Sequence, residues 1–125
     1  MRILVTISRD YPHPEIAVRA LMVRLYDPGI AMQITVVHGA SHMDWLLAGA
    51  ALALGFAQEP HPADWEHHRR AAGPIRNQEM VDAGADLCLA FISLGSTGAR
   101  DCLRKAKLSG IRCTRFDHEG REEPG

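Results

Sequence analysis

Three polar corners carry the residue types that could do chemistry. Ser8-Arg9-Asp10 follows the apolar run Ile3-Leu4-Val5-Thr6-Ile7, His38-Gly39-Ala40-Ser41 follows Gln33-Ile34-Thr35-Val36-Val37, and Leu94-Gly95-Ser96-Thr97-Gly98 follows a run ending near Ile92. The second and third corners lead into helical patterns. Free backbone N–H groups and the positive end of a helix dipole favour an anion at such a point, and glycine lets a phosphate approach the backbone closely. Neither corner is a G-x-x-x-x-G-K-[ST] loop or a G-x-G-x-x-G fingerprint, so each also reads as a plain strand-to-helix turn. Asp44, at the start of the second helix, would stabilise the dipole by ~0.3 to 1 kcal/mol and could equally accept ribose hydroxyls. Arg9 and Asp10 have the plainer option of pairing with neighbours across the sheet end.

Seven histidines, His13, His38, His42, His61, His67, His68 and His118, invite a metal reading. His38 and His42 have i,i+4 spacing, but they straddle a strand end and a glycine turn, and no helical H-E-x-x-H is present. His67 and His68 point apart on a helix. No metal site and no cofactor is expected. Cys88, Cys102 and Cys113 are odd in number and form no C-x-x-C, so they are expected to be reduced thiols packed as small hydrophobes.

The elements that must position these corners alternate along the chain. Strand signals lie at Arg2 to Ile7, Gln33 to Val37, Asp86 to Ile92 and Arg112 to Phe116, with a short edge strand near Phe56 to Pro60. Their near-continuous apolar character predicts a parallel sheet covered on both faces, with Leu4, Ile34, Val36, Leu87 and Leu89 buried. Helical spacing runs from Pro14 to Tyr26, from Met43 to Leu54 behind a Ser41–Asp44 capping signal, and from Arg100 to Leu108. Pro74 is suited to the first position of a further helix through Val81. Gln58 to Gly73 breaks the periodicity with Pro60, Pro62, Trp65 and three histidines. Trp65 there reads as a lid over the core or as a platform for a base. This order of elements is that of an open α/β sheet.

Composition bounds the function classes. The 125 residues are 46% hydrophobic and 23% charged, with a formal net charge of −1. One core suffices at this length, and the charge offers no global basic field for nucleic acid or anionic membranes. The apolar run Trp45 to Phe56 is shorter than the ~20 residues of a membrane span. The first apolar segment is too short for a signal-peptide core, so a cytoplasmic location is expected.

Several blocks together resemble a known family. They are Met1-Arg2-Ile3-Leu4-Val5-Thr6 with Ser8-Arg9-Asp10, Val37-His38-Gly39-Ala40, Pro62-Ala63-Asp64-Trp65, Ala72-Gly73-Pro74-Ile75-Arg76-Asn77-Gln78-Glu79-Met80 and Gly84-Ala85-Asp86-Leu87-Cys88-Leu89-Ala90-Phe91. The chain resembles, on these, the YspA-related branch of the SLOG superfamily, over nearly everything up to Phe116. The resemblance implies a Rossmann-like domain that binds a nucleotide or nucleotide-derived ligand. The superfamily includes LOG-type phosphoribohydrolases, which cleave the base from nucleoside monophosphates, and DNA-uptake proteins. Arg76 with Met80 is similar to the Arg-Lys-x-x-Met segment of LOG enzymes, whose arginine contacts substrate, and it brings Asn77 to the site. Gly95 to Cys102 stands where those enzymes have Gly-Gly-x-Gly-Thr-x-x-Glu. Gly98 matches, but Ala99 replaces the threonine and Cys102 the catalytic glutamate, with Asp101 one position short. Ile7 stands at a glycine of the family pattern, and Ser41-His42-Met43-Asp44 replaces a segment with an arginine and a glycine, so Cβ atoms keep a phosphate further from the backbone at both corners.

The reading is therefore a single α/β domain over residues 1–116, a Rossmann-like open parallel sheet of four to five strands with helices on both faces, and a frayed tail over 117–125. Its expected function is binding of a nucleotide or ADP-ribose-like ligand at the strand carboxyl ends, as a sensing or binding module. The expected ligand contacts are Ser8, Arg9, Asp10, Gly39, Ala40, Asp44, Arg76, Asn77, Gly95, Ser96, Thr97 and Gly98. A LOG-type hydrolase using Arg76 and Asp101, and an interaction domain with a decayed pocket, are the alternatives. The resemblance and the apolar Trp45 to Phe56 helix also imply a homodimer; no membrane or nucleic-acid partner is expected.

Overall fold

Side-chain alternation along the first strand divides the core in two. In β1 (Arg2–Ile7), Ile3, Val5 and Ile7 enter one apolar cluster and Leu4 the other. The structure, a computed structural model, describes residues 1–25, 33–95 and 97–123. Complete burial of Ile3, Leu4 and Val5 contributes ~1.5 to 3 kcal/mol each. It also fixes register, because a one-residue slip would exchange the two faces.

The sheet has six strands in the order β3-β2-β1-β4-β5-β6. β2 (Thr35–His38), β3 (Ala57–Pro60), β4 (Leu87–Phe91) and β5 (Cys113–Phe116) run parallel with β1. Helices α1 (Pro14–Leu25) and α2 (His42–Ala53) cover one face through Ala17, Leu21, Met43, Leu47 and Ala51. On the other face, α4 (Ala72–Asp82) and α5 (Gly98–Leu108) contribute Met80, Val81, Cys102, Leu103 and Ala106. A short helix, α3 (Trp65–His68), and a 3-10 turn at Arg69–Ala71 lead directly into α4. The α/β Rossmann-like class is therefore as expected.

Several details differ from the sequence reading. The sheet has six strands, and β6 (Glu122–Glu123) is antiparallel to β5. The expected frayed tail is thus a hairpin through residue 123; residues 124 and 125 lie outside the described residues, as does the expected end of α1 at Tyr26. Leu87 is only partly buried because it starts its strand, whereas Leu4, Ile34, Val36 and Leu89 are core. Pro74 sits inside the first turn of α4, where no intrahelical N–H is needed, because the preceding 3-10 turn has already wound the chain. Although its sequence is apolar all round, α2 buries one face and leaves Trp45, Leu46 and Leu52 exposed. No described helix is long and apolar enough to cross a membrane.

Candidate functional site

Strand order reverses at β1. Its neighbours β2 and β4 feed helices on opposite faces, so a crevice opens outside the carboxyl ends of β1 and β4. A cleft of about 1100 Å³ lies there, lined from all three polar corners and from α4.

The first corner is partly a clasp. Ser8 donates its backbone N–H to the Phe91 carbonyl at 2.9 Å, and its Oγ accepts from the Ser93 N–H at 3.0 Å. These bonds lock the ends of β1 and β4 together. Ser8 is buried and does not line the cleft, which corrects its expected place among the ligand contacts. Arg9 and Asp10 are exposed at the rim. The Ser93 hydroxyl donates to Asp10 Oδ1, and Asp10 Oδ2 lies 3.2 Å from where a Cβ on Gly95 would stand, so the glycine makes room for that carboxylate.

The second corner holds the chain tightly. Ala40 adopts a left-handed φ of 59°, uncommon for a residue with a Cβ, and its N–H donates to His38 Nδ1 at 3.0 Å. That bond requires Nδ1 to be unprotonated, so Nε2 bears the proton and donates to Gln58 Oε1 at 3.1 Å. Ser41 then caps α2 in a capping box: Asp44 Oδ2 accepts from the Ser41 N–H and hydroxyl, and Ser41 Oγ accepts from the Asp44 N–H. Asp44 is only 6% exposed, lines the cleft, and its second oxygen, Oδ1, is buried with no hydrogen-bond partner among the described residues. Burial pushes its carboxyl up. Hydrogen bonds from Ser41 and the nearby Arg76 charge pull the other way without cancelling that shift.

Arg76, one turn into α4, reaches across the cleft floor. Its Nε donates to Asn77 Oδ1 at 2.9 Å and its Nη1 donates to the Gly39 carbonyl. Arg76 therefore braces against the second corner, while Asn77 serves the third: Asn77 Nδ2 donates to the Gly98 carbonyl at 3.2 Å and to Asp101 Oδ2 at 3.0 Å. Gly95, Thr97 and Gly98 line the cleft, and Ser96 lies outside the described residues. Thr97, at the N-cap position of α5, makes no side-chain cap bond. The first amides of α5 are thus not satisfied from that side chain.

The residues at the hydrolase positions are committed elsewhere. Cys102 is completely buried, and burial pushes its thiol up to about 12, leaving it neutral and shielded. Asp101 lines the cleft, but it accepts from Arg104 at 2.9 Å, Lys105 at 2.8 Å and Asn77 at 3.0 Å. Burial would raise its carboxyl; the hydrogen bonds from Lys105, Asn77 and Arg104 outweigh this and hold it below the usual range.

The other wall comes from the irregular insert. Pro62, Ala63, Trp65 and Arg70 line the cleft; the first three belong to the Pro62-Ala63-Asp64-Trp65 block of the resemblance, whereas nothing in the sequence marks Arg70. The available signal was the break in periodicity after Phe56. Arg69, with φ 50° and ψ −123°, marks the sharp turn that presents this wall. Among the described residues no group of three or more His, Cys, Asp or Glu is placed to hold a metal ion.

No protein-family model and no solved structure matches the chain. It is 36% identical over 121 residues to the Gene 61 protein of Mycobacterium phage D29, an alignment covering 92% of this chain and 95% of that one. At this identity over nearly the whole of both chains, the protein belongs to the family of that phage Gene 61 protein.

Proposed function

We propose that this protein is a cytoplasmic SLOG-type module that binds a nucleotide or nucleotide-derived ligand, of the ADP-ribose kind, at the strand carboxyl ends, without cleaving it. The observation carrying this reading is that one cleft is lined by both Arg76 and Asp44, a carboxylate whose buried Oδ1 has no hydrogen-bond partner among the described residues. A buried acceptor without a donor is costly, ~1 to 3 kcal/mol and more for a charged group. A ligand hydroxyl would satisfy it. Among the described residues Arg76 bonds through Nε and Nη1, which leaves the Nη2 donors for an anion. Arginine holds phosphate oxygens through a fixed fork of donors that lysine cannot reproduce, and the positive dipole end of α5 favours the same charge. An anion joined to a diol is what this pairing of a cation with an acceptor suits.

Cleavage of an N-glycosidic bond asks for a carboxylate free to stabilise developing positive charge or to activate water. Asp101 is tied by three donors and Cys102 is buried, which favours binding over hydrolysis. Calorimetry with AMP and ADP-ribose is expected to show binding that Arg76→Ala abolishes, while incubation with nucleoside monophosphates releases no free base. Base release that disappears in Asp101→Asn would instead establish the hydrolase. Absence of binding to either probe would point to a decayed pocket.

The same reading includes a homodimer through the outer face of α2, where Trp45, Leu46 and Leu52 are exposed. Sedimentation at tens of micromolar is expected to show the dimer; a monomer alone would remove it.

A further inference from the structure

We propose that Trp65 is the platform on which this cleft stacks the planar ring of its ligand, so that the site selects a nucleotide over a sugar phosphate. The inference rests on the nucleotide reading above and adds the residue that recognises the base.

A tryptophan that merely closes a core is buried in it. Trp65 is 53% exposed and belongs to neither apolar cluster of the fold. No residue of α3 is buried, so the helix forms no part of the core. Its turn is shaped by polar contacts: Asp64 accepts from the His67 N–H at 3.2 Å and pairs with His67 Nδ1 at 2.8 Å. These bonds fix the turn on which the indole is mounted, which lowers the entropy lost when a ligand meets it.

The indole is also placed against α4. Its Cη2 lies 3.5 Å from where a Cβ on Gly73 would stand. Gly73 and Arg76 are three positions apart on the same helix, hence on one face and about 5 to 6 Å apart. The aromatic surface and the guanidinium therefore line one cleft a single helical turn apart. A ribose carries its base and its 5′-phosphate on two sides of one ring, so one ligand can reach both. Asp44 lines the same cleft, and its carboxyl supplies an acceptor for the ribose between them. Stacking tolerates any base because every base has a π-face, so Trp65 sets the requirement for a ring, and its identity is left to other contacts.

The test uses a Trp45→Phe background, in which Trp65 is the remaining tryptophan. AMP is expected to quench Trp65 emission, whereas ribose 5-phosphate is expected to bind without quenching. In calorimetry, Trp65→Ala should weaken AMP binding by roughly 10- to 100-fold, leave ribose 5-phosphate affinity unchanged, and be largely rescued by Trp65→Phe. Unchanged affinity of the alanine variant for ribose 5-phosphate also reports that the cleft is still folded. Equal affinity of the wild type for AMP and ribose 5-phosphate, indifferent to Trp65→Ala, would overturn the base platform while leaving the anion site standing. Binding of neither probe to the wild type would overturn both.

Discussion

The guanidinium of Arg76 donates through Nη1 to the carbonyl of Gly39, and a methyl group on Gly39 would lie 2.7 Å from its Cζ. Gly39 does not have a positive φ, so what it supplies is space and not backbone freedom. The glycine at this corner serves the arginine that crosses to it. Gly39→Ala is expected to push the flexible end of Arg76 aside at a cost of about 1 kcal/mol or less in stability, because the clash is with the tip of a long side chain. Nucleotide binding should nevertheless fall at least ~10-fold, through loss of the positioned fork. Calorimetry with AMP beside a thermal melt checks both halves; unchanged binding would show that Arg76 is not the anchor.

How far the sequence reveals this site depends on what each residue does locally. The three corners are legible because apolar runs ending in polar residues mark strand ends, and parallel order places those ends together. The capping box is legible because its signal is confined to Ser41 and Asp44. Ser8 misleads, since its exposed-looking polar corner is turned inward to bond Phe91 and Ser93. Ala40 and Arg69 carry positive φ without being glycine, so nothing in their types announces the turns they make. Asp101 looked like a spare carboxylate, and only the folded geometry brings Asn77 and Lys105 onto it.

Asp44 links stability to pH with an unusual sign. Burial raises its carboxyl, so the folded state holds the proton more tightly than the unfolded chain. Stability from this group is therefore fully present below the unfolded pKa and is lost as pH rises through the raised one. Asp44→Asn removes that loss while keeping an acceptor for the cap. The variant should match or exceed the wild type in thermal stability at pH 7, with the difference shrinking at acidic pH, and should bind AMP more weakly. Denaturation of both proteins across pH 4 to 7, read as a difference so that other carboxylates cancel, tests the sign.

The three thiols should differ sharply in reactivity. The side-chain hydrogen bond with Cys88, its neighbour in register on β4, lowers Cys113 to about 7, and its burial is incomplete. Cys88 is pushed well up by the same bond and by burial, and Cys102 by burial to about 12. Because the thiolate is the nucleophile, iodoacetamide at pH 8 is expected to label Cys113 first, with Cys88 and Cys102 protected until the protein unfolds. Peptide mapping after brief exposure gives the order directly; early labelling of Cys102 would contradict its assignment as a buried, non-catalytic thiol.

The C-terminal hairpin should matter to folding and not to the cleft. Asp117 Oδ1 accepts from the N–H groups of Glu119 and Arg121 at 2.8 and 2.9 Å, and the Asp117 N–H donates to the Arg121 carbonyl at 2.8 Å. Gly120, at φ 79°, closes this turn with its N–H on the Asp117 carbonyl at 3.0 Å. The same carbonyl accepts from the buried Tyr11 hydroxyl, and Tyr11 packs edge-on against Phe91, which stacks on Phe116 at 4.7 Å. Ending the chain at Phe116 would strip β5 of its outer neighbour and leave the Tyr11 hydroxyl without its acceptor. Loss of that hydrogen bond alone costs ~0.5 to 1.5 kcal/mol net. The truncated protein is therefore expected to melt on the order of 10 °C lower, and Tyr11→Phe, which removes donor and demand together, should cost far less. AMP affinity of whatever remains folded should be unchanged, because none of these residues lines the cleft. A truncation that melts with the full chain would mean that the hairpin contributes nothing to the sheet edge.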